Sequence, residues 1–330
     1  MRLFANANYD FIGSRWKAGA AFAALIVAGL VMLIIRGVSY SIEFTGGTLV
    51  QIETRQPTDA AVIRAALAQE GITGAEIVRF GSDREYAIRA LSAREGADPN
   101  DTQATSQGVR AALDRTLGQG NYTVLQTEAV GPKVGEELRT QAVWLVLLSF
   151  IAVLIYLAFR FEWRFGVAAV AATVHDIVSA IGFIGLADIE ISLFVVGALL
   201  SIVGYSLNDK IVVLDRVREN LRKHQREDFA NLLNRSINET LPRTVFTGST
   251  ALGSLLALAV LGGEVVRSFA LVMLYGVIIG TFSSIFVAAP VLLWIEKKWP
   301  GAAVKQLRTP AKQPPTPSSG SAGRKTQPVA

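Results

Sequence analysis

Windows of about 18 or more apolar, nearly uncharged residues recur along this chain, the length needed to cross roughly 30 Å of hydrocarbon. They fall at 18–35, 142–159, 165–187, 191–214, 243–261 and 266–295. Six such windows predict an α-helical, multi-pass membrane protein, because a lipid-exposed backbone must satisfy its own hydrogen bonds. Only 18% of the 330 residues are charged and 51% are hydrophobic, against about 25% charged in soluble domains. The first window is flanked by Arg15, Lys17 and Arg36. No small-residue cleavage site follows its apolar core, so it reads as a retained anchor rather than a signal peptide.

Lys and Arg in the short loops predict the orientation. Arg2, Arg15 and Lys17 precede the first span, and Arg160 and Arg164 mark the turn 160–164. Eight basic residues lie from Lys210 to Arg243, and seven follow the last span. The turn 188–190 has none and the turn 262–267 has one. Both termini are expected in the cytoplasm, with segment 36–141 outside. That segment carries eleven basic and fourteen acidic residues, a balance of −3, so the overall +5 leaves +8 for the remainder. The basic character thus reflects topology and requires no nucleic acid.

Segment 36–141 reads as a separate domain. Residues 48–54 alternate as a strand, and 58–69 have helical spacing with Thr58 or Asp59 as N-cap and Gly71 as the stop. Residues 75–80 and 84–90 read as two strands joined at Gly81-Ser82-Asp83. A helix over 102–117 and a strand over 122–130 complete a βαββαβ order, that of a small α+β ferredoxin-like domain. Glu43-Phe44-Thr45-Gly46-Gly47 reads as a glycine turn ahead of the first strand. The tail is rich in proline, serine, glycine, lysine and glutamine and reads as disordered from about 301 to 330.

Several chemistries are excluded or disfavoured. There is no cysteine, and His175 and His224 are the two histidines, so neither a disulfide framework nor a multi-histidine metal site is expected. No Walker A sequence is present, and no cofactor is expected. Ionisable residues inside spans are costly and are therefore functional candidates. Asp176 lies deep in the third span beside His175. Asp209 lies late in the fourth, about 8 Å inside its cytoplasmic end at 1.5 Å per residue. Arg243 follows Pro242, which suits the first turn of a helix. Thr247, Ser249, Thr250 and Ser254 continue down that span. Plainer roles exist for each: Asp209 pairing with Lys210 to fix a helix end, Asp176 bonding between helices, Arg243 snorkelling, and the Ser/Thr stripe packing. Gly276 and Gly280 have the spacing of a helix contact face. Burial favours the neutral form of a carboxylate, and an approaching cation favours the charged form. An aspartate whose arginine can approach and retreat therefore suits ion coupling.

Tyr205-Ser206-Leu207-Asn208-Asp209-Lys210, preceded by Gly204 and followed by Val213-Leu214-Asp215-Arg216-Val217-Arg218-Glu219-Asn220, resembles the signature of the SecF family of bacterial protein-export subunits. Tyr9 to Gly13, Gly46-Gly47, Gly131-Pro132 with Gly135, His175-Asp176, the run 238–244 and the run 280–284 match in order, over about residues 8–298. Ala251 departs from the threonine common there. The resemblance implies half of an RND-type transporter, paired with SecD and associated with the SecYEG channel and often YajC. It implies handling of unfolded preprotein at the cytoplasmic (inner) membrane, driven by the proton motive force. The family's intramembrane aspartate falls on Asp209 and the arginine associated with it on Arg243. Asp176 and Asn208 are the further coupling candidates, with His175, Lys210 and Thr247 behind them. Two rivals remain open: half of an RND-type small-molecule exporter, which usually has two large external domains and about twelve spans, and an intramembrane protease with Asp176 and Asp209 as a pair.

Overall fold

The computed structural model describes residues 7–79, 82–90, 102–224, 227–302 and 304–305, excepting the side chains of 264 and 265. Among these, six helical spans are long and apolar enough to cross a membrane. The first is α1 (Arg15–Arg36). A short helix α2 (Ile42–Thr45) and the strand β1 (Gly47–Thr54) follow. Then come α3 (Ala60–Gln69), β2 (Glu76–Arg79), β3 (Glu85–Ala90), α4 (Thr102–Leu117) and β4 (Tyr122–Val130). The remaining spans are α5 (Pro132–Arg160), α6 (Trp163–Leu186), α7 (Leu193–Lys223), α8 (Phe229–Leu261) and α9 (Gly263–Ser283). The last continues through a π-helical turn (Ser284–Ala288) into α10 (Ala289–Lys298).

The four strands form an antiparallel sheet in the order β2-β3-β1-β4, the ferredoxin-like arrangement. The alternation in β1 and β3 sends Val50, Ile52, Tyr86 and Ile88 to one face, where each is fully buried against Ile63 and Leu67 of α3 and Val109 and Leu113 of α4. Asp59 caps α3, its Oδ1 accepting from the Ala61 amide at 2.9 Å. Gly71, at φ 78°, ends that turn. The expected strand end at Phe80 and the link at Gly81 lie outside the described residues.

Two glycine motifs far apart in sequence meet at the base of this domain. Gly46 has φ 74°, and a Cβ there would lie 2.6 Å from Pro132 Cα. Gly131 is the N-cap of α5 and Pro132 its first residue. A Cβ at Gly135 would lie 3.0 Å from the Gly46 amide nitrogen. The stretch expected as a simple turn is the helix α2, and it serves a second purpose: Glu43 accepts from the Leu193 amide at 2.6 Å, at the first turn of α7. A parallel bridge of Tyr40 to Ile191 and an Arg89–Glu190 ion pair fasten the sheet to the loop between α6 and α7.

Within the bundle, α6, α7 and the α9–α10 span form the core, with about half of their apolar windows buried (56%, 50% and 56%). The others leave most side chains exposed, at 6% for α1 and 11% each for α5 and α8. Glycines set the closest approaches. A Cβ at Gly29 of α1 would lie 2.3 Å from the Gly182 carbonyl of α6, and one at Gly276 2.2 Å from Ile202 of α7.

Three details differ from expectation. Pro242 lies inside α8 rather than in its first turn, because the helix begins at Phe229, capped by Asp228. The charged run Arg216 to Asp228, which by composition reads as a solvated cytoplasmic helix, is helical as the continuation of α7 as far as Lys223. The start of the tail is packed: Gly301 donates to Glu296 at 2.7 Å, Glu296 pairs with Arg164 at 2.9 Å, and Val304 is buried. Residues 306–330 of the expected disordered tail lie outside the described residues.

Candidate functional site

The two intramembrane aspartates occupy different environments. Asp176 sits on the face of α6 that turns toward α7 and the last span. Its Oδ2 accepts from Lys210 Nζ at 2.5 Å, from Ser283 Oγ at 2.8 Å and from Ser206 Oγ. Its Oδ1 lies 3.0 Å from His175 Nδ1. Both side chains of the Asp176–Lys210 pair are fully buried. Lys210 follows Asp209 in sequence, yet its stem folds back over the preceding turn of α7, so that Nζ also reaches Ser206 Oγ and, at 3.3 Å, the Ser206 carbonyl. Side chains on a helix lean toward its N-terminus, which favours this i−4 contact. The expected alternative of Lys210 pairing with Asp209 is therefore not the arrangement found. Successive residues on a helix point about 100° apart, and Lys210 is drawn to α6.

Asp209 faces the junction of α7, α8 and α9. It is 2% exposed, and among the described residues its one hydrogen bond is from Thr281 Oγ1 at 3.1 Å. Gly248 of α8 opens this corner: a Cβ there would sit 3.7 Å from Thr281 Oγ1 and 4.0 Å from Tyr205 Oη. Tyr205 Oη is buried without a hydrogen-bond partner among the described residues. Two cations lie near enough for their charges to act on Asp209: Lys210, the stronger of the two, and Arg243 of α8. Arg243 makes no ion pair within 4.0 Å among the described residues and is exposed. Asn208, Gly204 and Thr247 are exposed too. Gly197, Ser201, Gly204 and Asn208 of α7 recur at helical spacing, as do Arg243, Thr247, Thr250 and Ser254 of α8. Each run gives its helix a polar, small-residue row. The one-turn π segment follows Ser283 directly, and such turns often accompany functional positions.

The other signature residues lie at the ends of the helices away from the sheet domain. Asp215 pairs with Arg160 and, at 3.6 Å, with Arg218. Arg216 pairs with Glu239 at 2.7 Å and Glu219 at 2.6 Å. Asn220 donates to Ser236 and Glu239. The N-terminal stretch hooks onto this end. The Tyr9 amide donates to Asn238 Oδ1 and the Tyr9 carbonyl accepts from its Nδ2, both at 2.9 Å. Asp10 accepts from the Gly13 amide and from Asn234, contacts that hold its carboxyl below the usual range, the Gly13 bond contributing most. Sequence reasoning did not find Ser206, Ser283 and Thr281 as partners of the aspartates. Ser206 lies in the 205–210 signature and Thr281 and Ser283 in the matching run 280–284, but neither motif says which aspartate each hydroxyl meets. Among the described residues no group of three or more His, Asp or Glu could hold a metal.

Residues 109–298 match the family model of the C-terminal part of the protein export membrane protein SecD/SecF, and residues 31–58 match the SecD/SecF GG motif. The chain is 50% identical over 304 residues to the protein translocase subunit SecF of Gemmatimonas aurantiaca, covering 91% of each. It is 42% identical over 316 residues to that of Magnetococcus marinus, covering 96% of this chain and all of the relative. Among solved structures it resembles SecDF from Thermus thermophilus, a translocon-associated membrane protein, with a TM-score of 0.77 and 37% identity. That match covers 90% of this chain and 40% of the Thermus chain, so the chain spans two fifths of that longer protein.

Proposed function

The chain belongs to the SecD/SecF family of protein-export membrane proteins, and from that premise we propose that this transport subunit uses the proton motive force through Asp209 and Arg243. The observation that carries this is the contrast between the two aspartates. Asp176 has a buried lysine at 2.5 Å, so its charge is compensated in place. Asp209 is also buried but has one hydrogen bond among the described residues, from a hydroxyl; the neighbouring Lys210 is held on Asp176, which leaves Arg243, on the exposed face of α8, as the cation free to approach. A carboxylate without a fixed counter-ion can take up a proton when water reaches it and release it when a cation approaches. Moving one charge across the membrane supplies about 2.3 kcal/mol per 100 mV from the electrical part of the gradient. Asn208, beside Asp209 on the exposed face, completes the site toward the partner, and Asp176 holds the architecture on which it stands.

The polar face of α7 and α8 is the surface we assign to a SecD-type half. That the Thermus chain named SecDF runs well beyond the matched two fifths supports a SecD-type partner, and the exposed polar rows of α7 and α8 support this choice of surface. The assembly would serve the SecYEG channel, often with YajC, and act on unfolded preprotein, with the sheet domain outside the cytoplasmic membrane and both termini inside.

The test is preprotein uptake into membrane vesicles after ATP-driven initiation is finished, with an imposed proton gradient as the remaining drive. Asp209→Asn should insert and bind its partner yet lose gradient-stimulated uptake, because Asn keeps the shape but cannot change charge. Arg243→Ala should do similar damage, and Arg243→Lys should keep part of the activity. Uptake by Asp209→Asn at the parent rate would make Asp209 a structural residue.

A further inference from the structure

The Lys210 ammonium sits in a cage made only of oxygen atoms. Its nitrogen lies 2.5 Å from Asp176 Oδ2 and 3.3 Å from the Ser206 carbonyl, and it bonds to Ser206 Oγ. Three N–H groups thus meet three acceptors, the full donor capacity of a lysine. Ser283 Oγ, 2.8 Å from the same carboxylate oxygen, adds a further donor atom from the last span. Lys210, Asp176, Ser206 and Ser283 are each at most 1% exposed. His175 bonds the other carboxylate oxygen, so Oδ2 alone faces the cage.

Carboxylate, hydroxyl and carbonyl oxygens are the ligands that hard, non-transition cations take. With one carboxylate the cage carries one negative charge. A single monovalent cation neutralises it, whereas a divalent ion would leave an uncompensated buried charge, which is costly. We propose that Lys210 is the covalently tethered occupant of an alkali-cation site: its ammonium stands where a sodium ion would otherwise sit among Asp176, Ser206 and Ser283. The tether holds α6, α7 and the last span together without any dissolved ion. It also closes this cage to sodium as a transported species, making Lys210 a specificity-determining residue. The inference does not depend on Asp209 carrying protons, and its test reads stability rather than translocation.

The test uses the purified full-length chain in detergent, melted in sodium chloride or in choline chloride at equal ionic strength. The parent should melt at the same temperature in both. Lys210→Ala removes the ammonium and its stem, opening room for the ion. Its melting temperature should be low in choline and rise saturably with sodium, by about 3 °C or more once the site fills. The double variant Asp176→Asn with Lys210→Ala, which has no charge to balance, should show no sodium response. If Lys210→Ala does not insert, Lys210→Ser is read in the same way, since it leaves an oxygen donor in place of the stem. The proposal is overturned by a parent that sodium stabilises, by single variants that melt alike in both salts, or by a double variant that keeps the sodium response. Failure of both single variants to insert in sodium medium overturns it as well, because sodium is expected to stand in for the ammonium.

Discussion

At the scale of single residues, the two aspartates differ in what compensates their charge. Each is buried in a span, and burial alone cannot rank them. Asp176 shares a fully desolvated ion pair with Lys210 and two serine hydroxyls. Removing one member of such a pair leaves an uncompensated charge, at a cost of about 3–5 kcal/mol. Asp209 would lose one hydroxyl contact, worth about 1 kcal/mol. Asp176→Asn should therefore lower the melting temperature of the purified chain well below that of Asp209→Asn, even though the proposed function assigns the larger loss of gradient-driven uptake to the latter. Thermal denaturation of the two variants side by side checks this. Equal melting temperatures would mean that the Lys210 pair does not hold the core.

At the scale of elements, the external domain carries its own apolar core. Val50, Ile52, Ile88 and Leu113 are fully buried among residues of the sheet, α3 and α4, with no contribution from the spans. A fragment of residues 38–138 should fold alone, and a random-coil circular dichroism spectrum would refute that. Tyr122 then offers a pH probe. Its hydroxyl donates to Asp114 at 2.9 Å, and burial first, then this bond, push the phenol up from 10.0 to about 12. A raised folded value means that the contribution is fully present below about pH 10 and is lost as the pH climbs toward 12. The urea midpoint of the fragment should therefore fall over that interval. Tyr122→Phe should flatten the fall, and an unchanged alkaline slope in the variant would locate the titration elsewhere.

At the scale of the whole molecule, topology and docking must agree. The sheet domain is tied to the α6–α7 loop by Arg89–Glu190 and by the Tyr40–Ile191 bridge, so that loop and the domain share one side of the membrane. The N-terminal hook on Asn234 and Asn238 joins the residues before α1 to the start of α8, on the opposite side. A reporter inserted after Gly262 should accordingly be external, and one after position 226 cytoplasmic. An external reporter at 226 would invert the whole arrangement.

What the sequence determined by itself was whatever depends on local rules. A span must be about 20 apolar residues long because lipid offers no hydrogen bonds, so six spans were legible without any knowledge of contacts. The βαββαβ order was legible because a side-chain period of two separates from one of 3.6 within a few residues. Asp176, Asp209 and Arg243 stood out because charge in a span is rare. Tertiary structure decided the pairings. Asp209 and Lys210 are neighbours in the chain, but the helix turns them apart and the lysine crosses to Asp176 on another helix. Gly46 and Pro132 lie far apart in the chain, and only the fold brings one against the other. Pro242 has the marks of a helix start and lies mid-helix, because α8 already begins at Phe229, capped by Asp228, and buries side chains on both sides of the proline, from Phe229 to Gly248. Which cation neutralises which acid depends on distances between helices, and those are fixed by packing across the bundle, where periodicity along one chain carries no information.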